Sequence, residues 1–203
     1  MVRPEHLKPA MLPSPLQSLC DDANLQHLPG PNSHQPSLHT LALQIQHNLQ
    51  YQHSWTDLHI HTHSPATKEL LPRPLLSGLP PSRLYVHPDE QIELLKQADQ
   101  EKASNASPAD GRKTAQQLLD DPEREWVLPT RLSEKWTLHR LHDIFCAVTV
   151  LPPNPETAAE EEEEADDPNP WRTTKRVLLA TATTDSTVAY YFIHEGAVKP
   201  RQN

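Results

Sequence analysis

Two apolar runs near the C-terminal end dominate the hydrophobic pattern of this chain. Arg176 to Ala182 and Thr187 to Ile193 are rich in Val, Leu, Thr, Tyr and Phe, and the polar Thr183 to Ser186 separate them, so together they predict a β-hairpin. Neither run has a wet face. In the second, Val188, Tyr190 and Phe192 alternate with Ala189, Tyr191 and Ile193, so a sheet that uses it is expected to cover both sides. If that strand also lies at a sheet edge, its N–H and C=O groups need a cover or a partner chain.

Upstream, the period changes to that of helices. Leu38, Leu41, Ile45 and Leu49 recur at helical spacing behind Ser37, a candidate N-cap, and predict an amphipathic helix to about Tyr51. Trp55 to Thr62 reads as a strand, Pro65 to Pro81 as a proline-rich loop, and Arg83 to Val86 as a short strand. Pro88 suits the first position of a second helix, Asp89 and Glu90 complement its dipole, and Ile92, Leu95 and Ala98 mark its expected buried stripe. Glu101 to Arg112 reads as loop, Thr114 to Asp120 as a short helix and Glu125 to Pro129 as a strand. Thr137 then caps a third helix whose apolar face holds Leu138, Leu141, Ile144 or Phe145, and Val148.

Composition limits how much of this can fold. With 35% hydrophobic residues and 22 prolines in 203 residues, the expected core is roughly 110 to 150 residues. A disordered head is expected over 1–36 and a domain over 37–203, with disordered insertions at 102–113 and 152–171, the second carrying Glu160 to Glu164. The formal charge of -9 opposes free-standing affinity for nucleic acid, so contact with RNA would need a basic partner or a local patch. Cys20 and Cys146 suggest no disulfide framework, and no apolar run is long enough to predict a membrane span or a secretory leader.

Candidate chemistry is sparse. Asp57, His59, His61 and His63 share one face if their segment is a strand, and imidazoles at this spacing can bind zinc. DLHIHTHS is similar to the opening motif of the polymerase-and-histidinol-phosphatase phosphoesterases, but no late Asp-x-His follows, and a polar strand face is the plainer reading. Ser133, Ser186 and Cys146 lack nucleophile signatures, and His142 and Asp143 are adjacent on a helix, where side chains diverge. The four glycines, at positions 30, 78, 111 and 196, form no phosphate loop. Tyr190, Tyr191, His194, Lys199 and Arg201 invite an RNA-cleavage reading, yet the tyrosines lie in a strand whose pattern favours core or interface.

Three blocks then point to a family: LPRPLLSGLPPSRLYVHPDEQIELLK, EWVLPTRLSEKWTLHRLHDIF and RVLLATATTDSTVAYYFIHEGAVKPRQN. In that order they resemble the small structural subunit of the eukaryotic tRNA-splicing endonuclease, the Sen-fifteen family, in its fungal form. The resemblance implies an α/β domain like the C-terminal domain of tRNA-intron endonucleases, a small mixed sheet flanked by helices. It also implies a heterotetramer of catalytic and structural subunits, with precursor tRNA reached only through the complex. Catalytic members carry a Tyr, a His and a Lys, the first two in a block absent here; Lys175 and Arg176 stand near the place of the lysine, so no triad is expected.

What the resemblance implies for function is a non-catalytic subunit, with no cofactor, whose last strand pairs edge to edge with a catalytic subunit. Val188, Tyr190, Tyr191, Phe192, Ile193, His194, Glu195 and Lys199 are the expected interface residues. An acidic loop that docks into a partner is a further family feature, for which Asp185, Glu195 and Glu160 to Glu164 are candidates. A nuclear location is implied, with the mitochondrial outer surface as the alternative in yeasts. A metal-dependent phosphoesterase using the Asp57/His59/His61/His63 set and a self-associating domain that forms a homodimer in isolation remain the competing readings.

Overall fold

Eight elements follow one another in the computed structural model, which describes residues 14, 17–18, 36–104, 121–153 and 169–196. They are α1 (Pro36–Gln52), β1 (Thr56–His63), β2 (Leu70–Leu79), α2 (Pro88–Ser104), β3 (Glu125–Arg131), α3 (Leu138–Ala147), β4 (Arg176–Ala182) and β5 (Val188–His194). The strands form one five-stranded sheet in chain order. Neighbours are antiparallel except β3 and β4, whose parallel pairing requires a crossover that includes α3. This is the small mixed sheet with flanking helices expected above.

Period-two alternation splits the core into two layers. Leu76, Val127, Leu178, Ala180 and Ala182 face α1, which buries Leu41, Ala42, Ile45 and Leu49 against them. Leu75, Trp126, Leu128 and Val177 face the other way and meet Ile144, Phe145 and Val148. Thr137 caps α3 as expected, its hydroxyl accepting from the Arg140 amide at 3.3 Å. Leu138, expected on the apolar face of that helix, is 87% exposed.

Three local readings are corrected. The stretch read as loop contains β2, with Pro72 and Pro74 inside it. β3 pairs only with Leu76 to Gly78, so the first half of β2 has a ladder on one side alone and can lack amide donors on the other. Arg83 to Val86 forms no strand: Arg83 turns into an ion cluster, and the Tyr85 ring packs against Arg176 of the same cluster. Among the described side chains of α2 the buried ones are Glu90 and Leu94, whereas Ile92 and Leu95 are exposed: the Arg83–Glu90 ion pair turns that face inward.

Most of the expected head over 1–36 and of the expected insertions at 102–113 and 152–171 lies outside the described residues, as do the helix read at Thr114 to Asp120, Glu160 to Glu164, Lys199 and Arg201; residues 101–104, read as loop, continue α2. Among the described residues no helix is long and apolar enough to cross a membrane.

Candidate interaction edge

β5 ends the sheet, and its ladder to β4 is regular. Seven residue pairs run from Arg176–His194 to Ala182–Val188 without a bulge. The Thr183 amide donates to the Thr187 carbonyl at 2.9 Å, and the Glu195 amide donates to the Lys175 carbonyl at 2.9 Å. Both bonds involve odd-numbered residues, and antiparallel pairs alternate between bonded and non-bonded. Hence Ala189, Tyr191 and Ile193 turn their backbone groups towards β4. Val188, Tyr190, Phe192 and His194 turn theirs outward.

Side chains on this strand are half-covered on both faces. Val188, Tyr190 and Phe192 pack beside the α1 core, and Ile193 beside the α3 core, but α1 lies mainly over β1 to β3 and α3 over β2. The Tyr190 hydroxyl donates to Asn48 Oδ1 at 2.5 Å, and burial raises its pKa. His53 meets the same ring edge-on at 5.1 Å. Tyr191 is 62% exposed on the opposite face, and Glu195 is exposed just past the strand. The expectation of a strand covered on both sides is met only halfway, as the alternative of an edge strand requires.

A neutral ion cluster supports the end of β5. Arg83 bridges Glu90 and Glu123 at 2.8 Å each. Arg172 bridges Glu123 at 2.9 Å and Glu125 at 3.0 Å, and Arg176 contacts the same two carboxylates. Glu125 is fully buried, so its two arginines supply the charge compensation that burial demands. Burial pushes the Glu123 carboxyl up, but the Asn169 hydrogen bond and the three arginines outweigh it and hold its pKa low. The Arg176 guanidinium also lies 5.0 Å from the Tyr85 ring centre and 5.7 Å from that of Phe192. The His194 ring lies tilted beside Tyr85, 4.8 Å between centres, and burial, then Arg176, lowers its pKa. Sequence reasoning missed this cluster; its one visible signal was a charged residue opening each of the apolar strands EWVLP and RVLLA.

The opposite edge, β1, is irregular. Its register to β2 shifts twice, and Asp57 has a φ of 50° and an ion pair with Arg124. Such interruptions blunt an edge against pairing. They also scatter the histidines. His59 Nε2 lies 2.6 Å from Asp57, while His61 Nε2 bonds to Ser77 Oγ at 2.8 Å and the His61 ring rests on Trp126. His63 pairs with Thr62, and no group of three metal-ligating side chains converges among the described residues.

The remaining catalytic candidates are likewise separate. Cys146 Sγ approaches His142 Nε2 at 3.4 Å on the exposed side of α3, and Asp143 pairs with His139 instead. Lys175 Nζ donates to the Phe145 carbonyl at 2.7 Å, away from the hydroxyl of Tyr190. Ser133 and Ser186 line an open cleft at the carboxyl ends of β3 and β4.

Fold and edge together define an α/β protein with one blunted sheet edge and one that no described residue covers. The family model of the Sen15 protein matches residues 44–203, and the chain belongs to that family. It is also 44% identical over 172 residues to a Neurospora crassa protein named "Probable tRNA-splicing endonuclease subunit tsp-1", a match that covers 82% of this chain and 67% of the relative.

Proposed function

We propose that this chain is a non-catalytic, structural subunit of a tRNA-splicing endonuclease, which joins a catalytic subunit by adding β5 to that subunit's sheet. The relative's name supports the splicing role. The observation that carries the pairing mode is the regular β5 edge, whose outward backbone groups at Val188, Tyr190, Phe192 and His194 have no covering element among the described residues. An added strand satisfies such groups, and the aromatic side chains flanking them supply anchors on both faces. The absence of catalysis is supported by the commitments of the candidates: the Tyr190 hydroxyl is held by Asn48 and Lys175 by a carbonyl. In this reading the assembly is a heterotetramer that acts in the nucleus, with precursor tRNA as the substrate of the whole. The same edge can pair with a second copy when the chain is alone.

Co-expression with a tRNA-splicing catalytic subunit tests this. Tyr191→Glu is the informative variant, since that side chain is exposed and its loss leaves the core intact. Wild type should co-purify, and the variant should lose at least roughly tenfold of the bound partner, a cost of about 1.4 kcal/mol. Equal recovery of partner by both chains, or none by either, would sink the proposal.

A further inference from the structure

A second group of cations, apart from the cluster beside β5, gathers near the carboxyl end of β3. Between Arg131 and Arg140, at the carboxyl end of β3, lie Arg131, Lys135 and Arg140 with Glu134 as the one carboxylate, and Arg73 of β2 reaches the same residues. Glu134 accepts from Arg73 Nη1 at 2.8 Å and from Arg140 Nη2 at 2.7 Å, so one carboxylate serves two guanidiniums. Both guanidiniums pack against Trp136, at 5.2 and 4.6 Å from its ring centre, and the Trp136 indole donates to Thr130 Oγ1 at 2.8 Å. The ring and the hydroxyl thereby hold the arginines in place. Arg73 is only 3% exposed, yet its Nε and Nη2 have no acceptor.

Of this group Arg131 also lines an open cleft of about 500 Å³, together with Leu41, Ser133, Thr184 and Ser186 among others. The cleft lies at the carboxyl ends of the parallel strands, where α/β sheets commonly bind ligands. Asp185 is the other carboxylate nearby, and hydrogen bonds from Thr183 and the Thr187 amide hold it in the turn, where it remains an anion. Cations outnumber carboxylates here although the whole chain carries -9. Arg and Lys next to Ser and Thr hydroxyls are the groups that contact phosphate oxygens in nucleic-acid interfaces.

We propose that the exposed Arg131, Lys135 and Arg140, with the adjoining hydroxyl-lined cleft, form a contact face for the RNA phosphate backbone, while the buried Arg73 holds Glu134 beneath them. The proposal rests on the endonuclease-subunit reading for its choice of RNA over an acidic protein. It gives this subunit a direct hand on precursor tRNA. Contact is sequence-independent, through charge and hydroxyls, so it weakens with salt as phosphate contacts do.

The test uses the full chain and a fluorescein-labelled precursor-tRNA transcript, with anisotropy read from 50 to 200 mM KCl. Arg131→Gln with Lys135→Gln is the variant of choice, because both side chains are exposed and the core is untouched. At 100 mM salt it should bind roughly tenfold more weakly than wild type, with the log–log salt slope reduced by about 1.5, as two lost phosphate contacts require. Lys96→Gln, on α2 and beyond the other end of β3, should change neither. Unchanged affinity and slope in the double variant would overturn the proposal, as would retention of a poly-glutamate peptide with no RNA bound. Co-purification of the double variant with the catalytic subunit reads the β5 edge separately, so failure of one idea is distinguishable from failure of the other.

Discussion

The Tyr190 hydroxyl and the Asn48 side-chain carbonyl, 142 residues apart in sequence, meet at 2.5 Å and tie the edge strand β5 to helix α1. Asn48 is held in turn by its amide, which donates to Gln52 Oε1 at 2.7 Å. A half-buried neutral hydrogen bond of this kind contributes about 1 kcal/mol, and removing one partner alone leaves the other unsatisfied. Tyr190→Phe, Asn48→Ala and the double variant should therefore show a coupling of about 1 kcal/mol in urea denaturation. Additive losses would mean that the contact stabilises nothing by itself.

The phase of the β4–β5 ladder makes adjacent residues opposite in their tolerance of proline. Val188 turns its amide outward at the start of the strand, where proline costs little, whereas the Ala189 amide faces β4. Val188→Pro should keep a stability near wild type while co-purification with the partner falls. Ala189→Pro should lose about 1–3 kcal/mol through its broken ladder bond, seen in a thermal melt of the chain alone. Similar stability for the two variants would contradict the assigned phase.

Removal of the buried carboxylate at Glu125 leaves Arg172 and Arg176 under-compensated in the interior. Both are at most 8% exposed. Glu125→Gln should cost about 3–5 kcal/mol in a urea titration, the usual result of breaking a buried ion cluster from one side. Asp143→Asn, which breaks the exposed pair with His139, should cost less than about 0.5 kcal/mol.

What could be read from sequence divides along the range of the interactions. The β4–β5 hairpin, the α1 stripe of Leu41, Ile45 and Leu49, and the Thr137 cap are local patterns, so spacing alone revealed them. β2 escaped because Pro72 and Pro74 signal loop, and their tolerance depends on how far β3 extends along the other side. The inward face of α2 escaped because a charge, Glu90, selects it through Arg83. The paired partners of Arg172 and Arg176 lie 47 to 53 residues away, and no local period encodes such a cluster. Which backbone groups of β5 point outward required the ladder itself.

Gly78 is required by close approach and not by its backbone angles. A Cβ built there would stand 2.5 Å from Leu58 Cδ2 and 3.0 Å from Trp55 Cε3. Trp55 is buried in the α1 layer, so it cannot swing away freely. Gly78→Ala should cost about 1–3 kcal/mol by overpacking, measured by thermal or urea denaturation.

His61 gives stability a pH dependence with a definite sign. Burial, then the nearby His59, lowers its pKa from 6.5 to about 4, so the folded chain holds the ring neutral against Trp126 and Ser77. Between these values the unfolded chain binds the extra proton. The stabilisation is therefore full above pH 6.5 and is lost as pH falls towards 4. With allowance for solvent screening of a partly exposed ring, the loss is about 2 kcal/mol. His194, whose pKa is also lowered, adds a slope of the same sign. His61→Gln keeps a donor for Ser77 but cannot titrate, so its urea midpoint should fall less than that of wild type between pH 7 and pH 5. Parallel pH dependences would show that His61 is not the group responsible.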